Sequence, residues 1–351
     1  MIQITLALPF ALPPPELAPD LQRALQTPAL AALLSRTSGH TLTAAEDGAR
    51  VLPHEAWLAR ALATGPGPGA TSDSAPLAIA VMRGYGQAPA DGHWFIVHPI
   101  HVQMARTHLT LADPRRLRLA DADSRALFEL ARPYFEESGR PLLYGDADTW
   151  FMRADDWSEL QTATPDTVTS MNLSDWLPEG PNAIAFRKLQ NEIQMLWHEH
   201  PVNEARQARG LAAVNSFWAW GGASAPVPAA AARATLATAD TPAWVSALAS
   251  PSLRDTTLPQ LLAHTGDNGQ RIAVLGDLIE AGSAGEWSDW LMRMQRLEQD
   301  WFTPLLAALQ DGRVAQVRLV LSHRTKLAEF SSTKNAQRKF WRKHTLNNLI
   351  P

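Results

Sequence analysis

The chain has 351 residues, with 31 Lys or Arg, 35 Asp or Glu and no cysteine. This length is typical of two domains or of one large α/β domain with an insertion, and 46% hydrophobic residues exclude global disorder. The lack of cysteine excludes disulfides, thiolate nucleophiles and Cys-ligated metals. The first twenty residues carry no Lys or Arg, and no uncharged apolar run reaches the ~18 residues of a membrane span. We therefore expect a soluble cytoplasmic protein that does not enter a membrane.

The N-terminal part alternates strand and helix signals. Residues 2–8 are apolar and are followed by prolines, which predicts a first strand. Thr27-Pro28 is typical of a helix start and predicts a helix over residues 29–34, and a second helix is predicted over residues 54–63. The Gly- and Pro-rich run 64–74 is interpreted as a linker, because it cannot hold regular structure.

The middle of the chain is mostly β-like around two helices. Helical spacing of apolar residues predicts helices over residues 121–137 and 182–197. Residues 142–144 and 149–152 predict a β-hairpin, in whose turn Asp146 bonds its own backbone rather than forming a catalytic carboxylate pair. Short apolar runs predict further strands over residues 76–82, 94–101, 107–111 and 214–220, the last of them ending at Gly221-Gly222.

After a second Pro-containing linker at residues 224–231, the last third alternates again. It predicts a strand over 271–275, one long helix over 286–310 with an apolar packing stripe, and a strand over 314–321. The pattern indicates an α/β fold in which a core sheet flanked by helices is interrupted by an inserted α+β subdomain. We expect the core over residues 1–75 and 223–351, and the insertion over residues 76–222.

The densest polar segment is residues 197–206, WHEHPVNEAR. On a continuous helix His198 and His200 would face apart. They could bind one metal only if the helix ended between them, which Pro201 favours by moving His200 out of the α region. No third ligand lies at a readable spacing. The segment is interpreted as capping and turn structure, with ligand binding as the alternative.

The C-terminal stretch 311–351 carries nine basic and two acidic residues. Residues 334–343, in which Phe340 and Trp341 lie between basic residues, could bind nucleic acid. The alternative is that this stretch lies against the protein's own surface, so nucleic acid is not the partner that we expect.

Four stretches together resemble a known family: 177–182 (LPEGPN), 191–196 (NEIQML), 200–206 (HPVNEAR) and 210–215 (GLAAVN). They look like the archaeal-type cofactor-independent phosphoglycerate mutases of the alkaline phosphatase superfamily. With residues 216–222 (SFWAWGG) added, they are similar to bacterial phosphoglycerate-mutase-like proteins known as RpfE-type regulators. The resemblance implies an alkaline-phosphatase-like α/β core with an inserted subdomain. In active members it also implies two divalent metals, manganese or zinc, and a Ser nucleophile.

Most of the implied metal ligands are missing from this chain. Residues 2–10 contain no acid where the first strand should end in Asp. The late Asp signature falls near Asp277, with no His before His323, and the Asp-His pair after the last core strand is replaced by Ser322-His323. Asp277, Ser322 and His323 are thus residual positions of the superfamily site, and we expect no catalytic residue and no metal. The alternative is that the metal ligands lie at other positions of this sequence, in which case the protein would bind manganese or zinc.

In the insertion, His200, Asn203, Arg206 and Asn215 offer groups suited to a carboxylate or phosphate, with structural ties as the alternative. We therefore expect a phosphoglycerate-mutase-like protein that has lost phosphoryl transfer and binds a small phosphorylated or carboxylated metabolite, or a protein partner, in a regulatory role. One alternative is a divergent, active metal-dependent phosphoglycerate mutase. Nucleic-acid binding through the basic C-terminal stretch is another.

Overall fold

The structure is a computed structural model that describes residues 2–62, 74–225, 234–265, 269–339 and 341–350. Its strands are β1 (Ile2–Leu8), β2 (Gly39–Ala44), β3 (Gly92–Ile100), β4 (Val102–Met104), β5 (Leu109–Leu111), β6 (Leu142–Tyr144), β7 (Trp150–Arg153), β8 (Ser216–Ala225), β9 (Thr235–Ala239), β10 (Gln270–Leu275), β11 (Val314–Ser322) and β12 (Lys326–Thr333).

The helices are α1 (Ala18–Ala24), α2 (Pro28–Ser35), α3 (Pro53–Ala61), α4 (Ala78–Gly84), α5 (Pro114–Leu117), α6 (Asp121–Glu137), α7 (Pro165–Val168), α8 (Ala183–His198), α9 (Pro201–Ala208), α10 (Ala243–Ala247), α11 (Leu258–Ala263), α12 (Ile279–Ala284), α13 (Trp287–Leu297), α14 (Thr303–Asp311) and α15 (Lys334–Gln337). A π-helical turn, Glu298–Phe302, joins α13 to α14, and 3₁₀ turns lie at Asp155–Trp157, Leu173–Trp176, Pro251–Leu253 and Asn347–Leu349. No helix within the described ranges is both long and apolar enough to cross a membrane.

The chain divides into two compact units. Residues 1–47 and 231–351 form one, called here the split unit, and residues 48–230 form the other, called the continuous unit. The limits expected from the sequence lie after residues 75 and 222, whereas the structure has α3 in the continuous unit.

The split unit is built on a six-stranded sheet in the order β2-β12-β11-β1-β10-β9. Four of the strands, β9, β10, β1 and β11, are parallel, and β12 and β2 are added antiparallel. Parallel strands covered on both faces read as apolar runs, and Leu6, Leu275 and Leu319 are all buried. Helices pack against this sheet through buried residues such as Leu30 and Phe302. The expected α/β fold, a core sheet flanked by helices, is confirmed.

The continuous unit contains an antiparallel sheet in the order β6-β7-β3-β8. One face packs on α6 and α8, which carry Phe135, Phe186 and Trp197 into a shared core with Trp150 and Phe217. The rings meet edge to face, for example Trp150 and Trp197 with centroids 5.9 Å apart. The structure confirms strand β3, the two predicted helices, which are α6 and α8, and the predicted hairpin, which is formed by β6 and β7.

Two sequence predictions in the continuous unit are wrong. The predicted strand 76–82 is helix α4, because a short apolar run without alternation fits a buried helix equally well. Strand β8 does not stop at Gly221-Gly222 but continues to Ala225. Gly221 has a positive φ of 71°, and the register with β3 shifts there, so this glycine makes a β-bulge instead of ending the strand.

The long C-terminal helix is confirmed, with one interruption. Its stripe of Trp290, Met294, Leu297 and Leu305 is buried as predicted. The π turn inside it was not predicted, and neither were β2, β9, β12 and α9. The predicted linkers lie outside the described residues, except for Ser74, a bend, and for residues 224–225, which belong to β8.

Candidate functional site

The candidate site is the edge of the split unit's sheet where the parallel strands end. In open parallel sheets, ligands bind outside the carboxyl ends of the strands. Here β9 leads to Asp240, β10 to Asp277 and β11 to His323, while Ser322 is the last residue of β11. Asp277, Ser322 and His323, which the sequence singles out, therefore lie at the ends of strands that flank β1 on either side. Whether they serve a ligand stays a prediction.

An aromatic ring follows β1 at this edge. Phe10 is buried and has a φ of 57°, a left-handed conformation that is strained for a bulky side chain. Its backbone N–H donates to Ser322 Oγ at 3.3 Å, and its carbonyl accepts from Trp290 Nε1 at 2.9 Å. A Cβ on Gly282 would lie 2.6 Å from Phe10 Cβ, so only glycine leaves room for the ring. The Phe10 side chain thus packs against Gly282, while its backbone is tied to Ser322.

The two acids at this edge face an arginine. Arg293 NH1 donates to the Asp277 carbonyl at 3.0 Å and lies 3.7 Å from Asp240 Oδ2, while its Nε pairs with Asp289 at 2.7 Å. A Cβ on Gly276 would lie 2.0 Å from the Asp240 carbonyl oxygen, so only glycine lets the loop after β10 come this close to the loop after β9. Burial, and then the charge of Asp240, raises the pKa of Asp277. The positive charge near this acid pair is therefore supplied by a guanidinium.

The side chains at this edge do not fit a two-metal centre. Within the described ranges, no three His, Asp or Glu side chains lie close enough together to hold a metal ion. Burial, and then the neighbouring Arg324, lowers the pKa of His323, and Arg324 would also repel a cation.

The polar segment 197–206 forms hydrogen bonds with the backbone of the continuous unit. As expected from Pro201, His200 is extended, and its Nδ1 accepts from Val202 N–H at 3.2 Å to cap α9. Asn203 Nδ2 donates to the carbonyls of Trp197 and Val214, each at 2.8 Å, and its Oδ1 accepts from Val214 N–H at 2.7 Å. Capping by this segment is confirmed.

Arg206 and Asn215 make similar ties. Arg206 is fully buried, and its guanidinium donates to Ala212 O at 2.9 Å and Leu117 O at 2.5 Å. Asn215 pairs through its whole amide with the backbone of Val102, at 2.7 and 2.8 Å. An anion at these residues would have to displace such bonds. Their role in ligand binding, with that of His200 and Asn203, stays a prediction.

Part of the basic C-terminal stretch caps helix α2. Lys339 Nζ donates to Thr37 O at 2.9 Å, Arg342 NH1 to Ser35 O at 3.2 Å and Asn348 Nδ2 to Leu34 O at 2.8 Å. Cations at a helix C-terminus satisfy its free carbonyls and favour its dipole. Trp341 is exposed, and Phe340 lies outside the described residues. Two of the cations considered for nucleic acid therefore have a structural role.

A buried polar cluster in the continuous unit was missed by the sequence analysis. Glu55 Oε2 accepts from Leu52 N–H at 2.9 Å and from Thr164 Oγ1 at 2.7 Å, while Oε1 is buried without a hydrogen bond. Arg115 pairs with Asp166 at 2.8 Å beside it. The only local signal was a Glu two residues after a helix-starting Pro, a capping-box position.

We expect the stability of the wild type to depend on pH in a way that the Glu55→Gln variant loses. Burial, and then Asp166, raises the pKa of Glu55 to about 8, against about 4.3 in an unfolded chain. The folded state then binds more protons than the unfolded state across that window, so stability falls as the pH rises. Between about pH 6 and about pH 8, the free energy of unfolding measured with urea should fall more in the wild type than in the variant, by up to about 2.5 kcal/mol. Parallel profiles would contradict this.

Comparisons with known proteins give a local likeness and a shared fold. No protein-family model matches the chain. The 2,3-bisphosphoglycerate-independent phosphoglycerate mutase of Methanosarcina barkeri is 32% identical over 69 residues, which are 20% of this chain and only 17% of that enzyme. The PH0037 protein of Pyrococcus horikoshii matches 95% of this chain and 87% of its own at a TM-score of 0.51 and 11% identity, which shows the fold. The cofactor-independent phosphoglycerate mutase of Thermoplasma acidophilum has a TM-score of 0.43 and 13% identity, over 100% of this chain and 94% of its own.

Proposed function

We propose that this protein is a phosphoglycerate-mutase-like protein without phosphoryl-transfer activity, which acts by binding a small phosphorylated or carboxylated metabolite. The observation that supports this most directly is Phe10, which is buried and has a strained backbone two residues after β1, near where the family resemblance implies a metal-binding Asp. The local identity to an archaeal mutase supports the relationship. A regulatory role like that of the RpfE-type proteins, through a protein partner that responds to the metabolite, belongs to the same proposal.

The anion would bind at the carboxyl edge of the sheet beside the Phe10 ring. Arg324 follows β11, and its guanidinium carbon lies 5.9 Å from the centroid of that ring. A guanidinium offers paired N–H donors that match a phosphate or carboxylate. His323 next to it is held towards its neutral form, since burial lowers its pKa, and can donate or accept one hydrogen bond.

Metal content and mutase activity test the loss of phosphoryl transfer. After dialysis against manganese and zinc, we expect less than about a tenth of an equivalent of either metal, and no interconversion of 2- and 3-phosphoglycerate. Close to two equivalents together with turnover would contradict the proposal and favour the divergent active enzyme.

Thermal unfolding with 3-phosphoglycerate or inorganic phosphate tests the anion site. We expect saturating probe to raise the Tm of the wild type by about 2 °C or more, and the Arg324→Ala variant to lose this shift. Arg313→Ala is the matched control. Arg313 precedes β11 and so lies at the other end of that strand from Arg324, and it pairs only weakly with Asp311 at 3.4 Å. A wild type without a shift, or an unchanged shift in Arg324→Ala, would contradict the assignment.

A further inference from the structure

Strand β2 forms one edge of the split unit's sheet and is exposed along its whole length. In the described part of the chain it pairs with β12 alone. Proteins usually protect such edges with charged residues, proline, bulges or very short strands, since a free edge is a template for another strand. The sequence of β2, GHTLTA, has no charge and no proline, and its register with β12 is unbroken.

The backbone groups on the open side of β2 can be assigned. Ala45 N–H donates to Thr325 O at 2.7 Å, and the register continues from Ala44 opposite Lys326 to Gly39 opposite Ser331. Because alternate residues of an antiparallel strand bond to the same neighbour, the odd-numbered residues bond to β12. The N–H and C=O groups of His40, Leu42 and Ala44 therefore face the open side, along about 14 Å of edge.

We propose that β2 pairs antiparallel with β2 of a second copy of this chain, about a twofold axis at Leu42, to form one continuous sheet. An antiparallel edge is complementary to itself, as an isologous interface requires. Leu42 would oppose Leu42 of the second copy and bury an apolar side chain that is 49% exposed. His40 would oppose Ala44 of the second copy.

Charges at the two ends of β2 favour a second copy over an unrelated extended peptide. Arg36 precedes the strand, and Glu46 and Asp47 follow it. Antiparallel pairing brings the basic start of each strand to the acidic end of the other, so that opposite charges meet at both ends. The Arg36 guanidinium itself donates to Gln337 O at 3.0 Å, and a second cation, Lys339, lies at the start of β2, where its Nζ donates to Thr37 O at 2.9 Å.

Sedimentation velocity of the full chain at rising concentration tests the proposal. We expect a monomer–dimer equilibrium in the wild type. Leu42→Pro removes an N–H on the open side and none that bonds to β12, so the variant should stay folded by near-ultraviolet circular dichroism while its dimer dissociation constant rises by about tenfold or more. The matched control Leu42→Ile keeps both the N–H and an apolar side chain that suits a strand, and should dimerise within about threefold of the wild type.

A second variant keeps the test decisive if the proline substitution disturbs folding. Leu42→Lys places two like charges opposite each other on the axis and should also yield monomers. A wild type that is monomeric at every concentration, or a dimer that persists in folded Leu42→Lys, would overturn the proposal.

Discussion

Replacing Arg206 with methionine is expected to lower the free energy of unfolding of the continuous unit by about 3–5 kcal/mol. The Arg206 guanidinium is fully buried and donates to the carbonyls of Ala212 and Leu117. Methionine fills most of the volume but offers no donor, so these carbonyls lose their partner in a site closed to water. Urea unfolding followed by tryptophan fluorescence measures the loss, because Trp150 and Trp197 lie in the core of this unit.

Arg209→Met is the matched control for this variant. Arg209 lies one turn further along, is 55% exposed at its side chain and pairs with Asp123 at 3.3 Å. Because an exposed pair contributes little, we expect a loss below about 1 kcal/mol. Equal losses in the two variants would show that the buried contacts of Arg206 are not what stabilises this segment.

Replacing Glu298 with alanine is expected to cost the split unit about 2–4 kcal/mol. Glu298 is buried in the π turn, and its carboxylate accepts from Ala29 N–H at 2.6 Å and Leu30 N–H at 3.1 Å. It therefore caps helix α2, whose own N-cap residue, Thr27, makes no capping bond. The negative charge also favours the helix dipole. The variant leaves two buried N–H groups without an acceptor, and chemical denaturation measures the cost.

Asp300→Ala is the control in the same π turn. Asp300 is exposed and lies 3.9 Å from Arg296, so its removal should change stability by no more than about 0.5 kcal/mol. Glu298→Gln should fall between the two, because its amide keeps one acceptor. A Glu298→Ala variant as stable as Asp300→Ala would mean that α2 does not depend on this cap.

Features fixed by neighbouring residues could be predicted from the sequence. Helix α6 was predicted over residues 121–137 and has those bounds, because the spacing of Leu127 and Ala131 records its buried face. The turn of the predicted hairpin is also confirmed, as Asp148 N–H donates to Asp146 Oδ1 at 2.9 Å. Such signals lie within a few residues of what they describe.

Features created by packing could not be predicted in the same way. Strand β2 is exposed on both faces, so it lacks the alternation that marks a half-buried strand. The cap of α2 joins Glu298 to Ala29, and the acid pair at the candidate site meets Arg293 only after β9, β10 and α13 are assembled. The sequence indicated that acids are absent after β1, but not that Phe10 would be buried there against Gly282.

The pairing of β1 has a consequence for synthesis of the chain. Gln3 pairs with Gln270, and Leu8 with Leu321, whereas the continuous unit is formed by one uninterrupted segment. At ribosomal rates of about 5–20 residues per second, β1 emerges on the order of ten seconds to a minute before its partners exist. During that interval an apolar strand is without a sheet, while the whole segment that forms the continuous unit is synthesised. The nascent chain is therefore most exposed to aggregation at its first strand, and this hazard ends only when β10 and β11 have left the ribosome.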